Sequence, residues 1–126
     1  MNVAFLWVAA GGAIGAVARY GVVQWAVSRW GAAFPWGTFA ANLTGSLAIG
    51  FLAAILSSRG SDPHLRLFVI TGVLGGYTTF SAFSFETLAL LFAQRWAAAI
   101  AYVVGTVTLG LAAASLGYAL ALVVSR

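Results

Sequence analysis

The stretch Gly72-Val73-Leu74-Gly75-Gly76-Tyr77-Thr78-Thr79-Phe80-Ser81-Ala82-Phe83-Ser84-Phe85-Glu86 decides how this chain folds. It sits inside a segment otherwise apolar enough to cross a bilayer, yet it is crowded with glycines, hydroxyls and phenylalanines. Gly75, Gly76, Thr78, Thr79 and Ser81 each weaken helical backbone bonding, by lost side-chain packing or by hydroxyl bonds that compete with the helix ladder. The backbone is expected to open here. Open backbone at membrane depth is tolerated only where protein covers it or where it lines a watery cavity, so the stretch predicts an ion site or a path.

The rest of the chain supports membrane depth. Of its 126 residues 63% are hydrophobic and 6% charged, with a mean hydropathy of +1.02, whereas a soluble domain carries roughly a quarter charged residues. A crossing helix needs about 20 residues, which leaves room for at most four crossings joined by short loops in a single all-α domain over residues 1–126. The net charge of +4 comes from singly scattered arginines rather than a basic patch, so nucleic acid is not an expected partner. With zero cysteines there is no disulfide, thiolate ligand or thiol nucleophile. The first apolar run starts at Val3 with no basic residue before it and reads as a retained helix rather than a signal peptide.

Outward from the opening stretch, four apolar segments are expected over about Val3–Val27, Gly37–Leu56, Leu65–Ala93 and Ala97–Val124. The third is longer than a straight crossing needs, as a break or a tilt would allow. Trp25, Trp30 and Trp36 surround the loop from Ser28 to Trp36 and suggest headgroup depth. In the loop from Ser57 to His64, Asp62 before Pro63 fits a helix N-cap, and the lone His64 has no partner ligands for a metal. Gln94 to Trp96 reads as a tight turn.

Within the helices, Gly11, Gly15 and Ala16 form a small-residue face for close packing, and Arg19 either snorkels to an interface or binds inside. Asn42, Ser46 and Gly50 share one face of the second segment, with Thr38 more loosely aligned, which makes a polar stripe on an apolar helix. Such a stripe serves interhelical bonding or a path. Phe80 and Phe83 share a face with Thr87, while Glu86 needs a partner, a proton or water. Tyr102 and Thr106 face the same way on the fourth segment.

Four crossings put Arg59, Arg66 and Arg126 on one side against Arg29 and Arg95 on the other, with Arg19 joining the second pair if it snorkels that way. That is almost no bias, so orientation is weakly specified and an antiparallel dimer with its two-fold axis in the membrane plane becomes feasible. On such an axis the carbonyls of two broken segments would converge, an arrangement suited to a small bare cation such as sodium. Amide, hydroxyl and phenyl-edge donors along the remaining path suit a small hydrated anion, and no nucleotide loop, metal cluster or Ser/His/acid set offers an enzyme.

Residues 11–20 with the motif Gly11-Gly12-Ala13-Ile14-Gly15-Ala16-Val17-Ala18-Arg19-Tyr20, then Gly37-Thr38, Asn42 and Gly45-Ser46, then Gly75 to Phe83, together resemble the fluoride channel family known as Fluc or CrcB over essentially the whole chain. The resemblance implies a passive fluoride channel of a bacterial inner membrane, built as an antiparallel, dual-topology homodimer with two pores and a structural sodium ion at its centre. It implies ring edges from Phe80 and Phe83 with Ser81 beside them, an amide from Asn42, and a polar track through Tyr102 and Thr106. Thr38, Arg19 at a pore entrance and Glu86 past the second phenylalanine complete the implied path. Backbone carbonyls of Gly75 and Thr78 would hold the sodium. Two positions depart from the usual pattern: Ala82 and Gly110 each stand where a hydroxyl is common. Two other readings stay open at this point, a small proton-coupled exporter of organic cations using Glu86, and a non-transporting membrane subunit.

Overall fold

A computed structural model describes residues 2–58 and 60–126. It is all-helical, and four of its helical runs are long and apolar enough to cross a membrane. Helix α1 is Val3–Trp30, capped by the Asn2 side chain, which accepts from the Ala4 amide. It runs three residues past the expected end because Ser28 turns its hydroxyl back onto the Trp25 carbonyl and the stop comes only at Gly31, whose φ of 75° suits glycine alone. Helix α2 is Trp36–Ser58.

The third run is Pro63–Phe92; its first part, helix α3 over residues 63–77, starts where expected: the Asp62 carboxylate accepts from the His64 amide, with Pro63 in the first turn. It is α-helical over Pro63–Arg66, widens to i→i+5 hydrogen bonding over Leu67–Leu74 and narrows again over Gly75–Tyr77. Thr78 and Thr79 are then extended, and a separate helix α4 runs over Phe80–Phe92. The interruption therefore falls on two residues only, and Gly75 and Gly76 stay helical. The α4 end is a Schellman turn in which Arg95 bonds back to Leu90 and Gln94 to Leu91, with Gln94 at φ 58°. Helix α5, Trp96–Val124, completes the chain.

Packing forms two tight pairs. Helix α1 lies along α3, where a methyl group on Gly72 would stand 2.8 Å from the Gly11 Cα and one on Gly15 would stand 2.8 Å from the Tyr77 nitrogen. Ala16, expected on this face, is exposed, and Gly12 takes its place through a carbonyl that abuts Gly76. Helix α2 lies along α5, with Gly50 against Ala114 and Gly117 against Leu47 and Phe51. Gly37 on Val23 joins the pairs. The buried cluster of Phe83, Leu90, Ala99 and Tyr102 seats α4 on α5. Outside, large apolar side chains such as Val17, Phe85, Phe92, Ile100 and Leu111 are exposed, as a lipid-facing surface requires.

Both loops expected at one end are found together, because the Arg95 guanidinium donates to the Ala33 carbonyl. At the other end His64 stacks beside Trp7, with ring centroids 6.2 Å apart. Arg59, one of the arginines in the charge balance, lies outside the described residues.

Candidate functional site at the helix break

The break is held open by side chains from three directions. Asn42 on α2 treats Thr79 as a strand would treat its neighbour: its Oδ1 accepts from the Thr79 amide at 2.8 Å and its Nδ2 donates to the Thr79 carbonyl at 3.1 Å. Both backbone groups of an extended residue are thereby satisfied without water. From α1, the Arg19 Nε donates to the Gly76 carbonyl at 3.2 Å. The half-buried Arg19 is thus fixed on the last turn of α3. The third brace is Tyr77, 2.9 Å from the Thr44 hydroxyl; that hydroxyl gives its own proton to the Ala40 carbonyl, which leaves Tyr77 as the donor.

The two sides of the break differ in charge character. On the α3 side, the carbonyl of Leu74 accepts from Thr78, that of Gly76 from Arg19 and that of Thr79 from Asn42. No side chain among the described residues donates to the carbonyls of Gly75 or Thr78, so these remain as oxygen donors at the negative end of a helix. On the α4 side, Thr79 caps the helix by accepting from the Ala82 amide at 3.1 Å. The other amides of that first turn carry the partial positive charge of a helix start.

A cavity of about 340 Å³ opens beside the break, lined among others by Asn42, Ser46, Gly75, Thr78, Phe80, Phe83 and Thr106. Six of the site residues implied by the resemblance, counting Gly75 and Thr78, thus meet around one space with Ser46 of the polar stripe: Asn42, Phe80, Phe83, Thr106, Gly75 and Thr78. Phe83 is 8% exposed and Phe80 78% exposed, with ring centroids 5.6 Å apart. One ring is therefore seated in the protein and the other projects from it. The Thr106 Oγ1 is buried and has no hydrogen-bond partner among the described residues. An unpaired buried hydroxyl costs about 1–3 kcal/mol, which marks a place where an incoming acceptor or donor is favoured.

Thr38, Glu86 and Tyr102 form a separate cluster. One Glu86 oxygen accepts from the Thr38 hydroxyl at 2.7 Å and the other from the Tyr102 hydroxyl at 2.6 Å, tying α2, α4 and α5 together. Thr38 and Tyr102 are buried. Thr38 and Glu86 border a second cavity of about 360 Å³ toward the loop end, walled by Val23, Ala26, Phe34, Trp36 and Leu90. Ser81 is exposed beside Thr79, its hydroxyl 3.2 Å from that of Thr79. The sequence alone did not single out Thr79 as the partner of Asn42, nor Thr44 with Tyr77. The only signal for the first was the threonine doublet directly ahead of an apolar helix, a usual N-cap position.

Residues 6–118 match the family model described as CrcB-like protein, Camphor Resistance (CrcB). The chain belongs to the CrcB family. It is 53% identical over 116 residues to a protein of Rhizobium meliloti named fluoride-specific ion channel FluC, covering 91% of this chain and 93% of the relative. Proteins of the same name from Paracoccus denitrificans and Helicobacter pylori are 50% and 43% identical over 117 and 123 residues, with at least 93% of each chain covered. The matched residues of this CrcB chain take in the second and third apolar runs whole, most of the first and fourth, and the whole of the break.

Proposed function

We propose that this chain is a passive fluoride channel that exports fluoride from a bacterial cell across the inner membrane. The observation that carries the reading is the convergence of Asn42, Phe80, Phe83 and Thr106 on one cavity beside the break, in a chain whose close relatives are named fluoride-specific channels. A strongly hydrated anion entering that cavity exchanges water for an amide, a hydroxyl, ring edges and the positive start of α4. Each is a moderate donor, so the ion is held without being trapped. Nothing in this chemistry makes or breaks a covalent bond, and the chain is not an enzyme.

On this reading the whole chain acts as one four-helix unit, and two copies pair antiparallel with the break at mid-bilayer. Support comes from the even spread of the arginines and from the exposed ring of Phe80, which a second subunit would cover. The pores then number two, each taking residues from both copies. Gly75 and Thr78 fit a sodium ion at the dimer centre, since hard cations prefer oxygen ligands and these carbonyls receive no side-chain donor among the described residues. Arg19, Ser81, Thr38, Glu86 and Tyr102 belong to the approaches of the path rather than to the cavity itself. The exporter alternative would have Glu86 exchange protons with a cargo, whereas both its oxygens are already engaged by Thr38 and Tyr102.

The test is fluoride efflux from liposomes, read with an ion-selective electrode. Efflux through the unaltered protein is expected, and its absence would sink the function. Asn42→Asp and Phe80→Ile are expected to slow efflux at least tenfold, and undiminished rates in both would remove these residues from the pore.

A further inference from the structure

We propose that Ser46 contacts the conducted ion, acting with Thr106 across the cavity in the space that Gly110 leaves vacant; this rests on the channel reading above. Four hydroxyl side chains line the cavity: Ser46, Thr78, Thr79 and Thr106. Thr78 donates to the Leu74 carbonyl, and Thr79 accepts from the Ala82 amide. Ser46 and Thr106 have no hydrogen-bond partner among the described residues, and the Thr106 oxygen is fully shielded. Helix hydroxyls elsewhere turn back onto carbonyls four residues earlier, as in Thr44 on Ala40, Ser84 on Phe80, Thr108 on Val104 and Ser115 on Leu111. Ser46 and Thr106 make no such bond; they stand on facing helices, α2 and α5, and both border the same space.

Gly110 follows Thr106 by four residues and so continues its face of α5. A methyl group on Gly110 would find the Ser46 Oγ as its nearest neighbour, at 3.6 Å. That is an ordinary contact, so the position admits a small side chain, and in this sequence α2 supplies the hydroxyl that α5 lacks there. An anion leaving the Asn42 amide meets Thr106 and Ser46 as a pair of donors whose protons are not committed elsewhere.

The proposal is tested with reconstituted protein carrying Ser46→Ala, Gly110→Ser or both, reading fluoride efflux together with the unfolding midpoint in detergent. Ser46→Ala is expected to slow efflux about tenfold, the effect of losing one donor to a charged ligand, with the midpoint unchanged. Adding Gly110→Ser should return the rate to within about threefold of the unaltered protein, because the hydroxyl reappears from the opposite helix. Unaltered efflux in Ser46→Ala overturns the proposal and leaves the channel reading intact. A joint fall of rate and midpoint that Gly110→Ser does not rescue also overturns it, by making Ser46 a packing residue. No efflux from the unaltered protein removes both readings together.

Discussion

Glu86 is the side chain whose removal the structure prices most directly. Its oxygens accept from Thr38 at 2.7 Å and from Tyr102 at 2.6 Å, and both donors are buried hydroxyls on other helices. Charge-assisted hydrogen bonds contribute about 1.5–3 kcal/mol each, and a buried hydroxyl left without a partner loses about 1–3 kcal/mol. Glu86→Ala strands both hydroxyls and is expected to destabilise the protein by about 3–5 kcal/mol. Tyr102→Phe removes one donor and leaves Thr38 in place, for about 2 kcal/mol. Because Tyr102→Phe has nothing further to lose once the carboxylate is gone, the two changes together should cost little more than Glu86→Ala alone. A coupling of about 2 kcal/mol follows. The assay is equilibrium unfolding in mixed detergent micelles followed by circular dichroism, run on the four members of the double-mutant cycle. Additive costs, with a coupling under about 0.5 kcal/mol, would refute the clamp and leave Glu86 and Tyr102 as independent groups.

Other substitutions separate the remaining contacts. Gly15→Ala drives a methyl into the backbone of α3 and is expected to cost about 1–3 kcal/mol, whereas Gly21→Ala meets nothing within 4 Å and should change stability by less than about 0.5 kcal/mol in the same unfolding assay. Asn42→Leu removes both bonds to Thr79 and is expected to cost about 2–3 kcal/mol, seen also as faster amide exchange at Thr79. Arg19→Met frees the Gly76 carbonyl and should lower stability by about 1.5–3 kcal/mol, whereas an Arg19 that only snorkels to the interface would give a neutral substitution. Since the chain has no cysteine, single cysteines at Ser57 and Gln94 can report pairing: antiparallel copies crosslink Ser57→Cys to Gln94→Cys, and parallel copies crosslink like to like.

The membrane class, the four runs and the two-ended arrangement of loops were legible because each rests on local composition and on turn chemistry that tertiary packing rarely overrides. The N-cap at Asp62 is a case of this kind, since its partner His64 lies two residues away. Glu86 marks the opposite case. Its need for partners was readable from its depth, but Thr38 lies 48 residues away and only the pairing of helices selects it. Gly75 and Gly76 were read as weak points of the helix, yet they remain helical. What their bareness serves is contact, with Gly76 lying against the Gly12 carbonyl, and the opening moves to the threonines that follow. The wide-turned stretch Leu67–Leu74 left no trace in an apolar run, because periodicity blurs when every face is apolar.

That shift from the glycines to the threonines bears on how one short stretch would serve the two ions of the proposed channel. If the backbone opened at Gly75, the carbonyls and the amides of the break would mingle, and neither end would present a single sign. With the opening confined to Thr78 and Thr79, α3 ends in carbonyls and α4 begins in amides. Asn42 neutralises Thr79 between them by bonding both of its backbone groups, so the negative end of one helix and the positive start of the next do not cancel through the connecting residue. Arg19 acts on the same boundary from the other side, taking the Gly76 carbonyl and leaving those of Gly75 and Thr78 without a side-chain donor among the described residues. The amide and the guanidinium thus divide the break into an oxygen-donor half and a proton-donor half, the separation that the proposed channel would need to pass a small anion beside a bound cation.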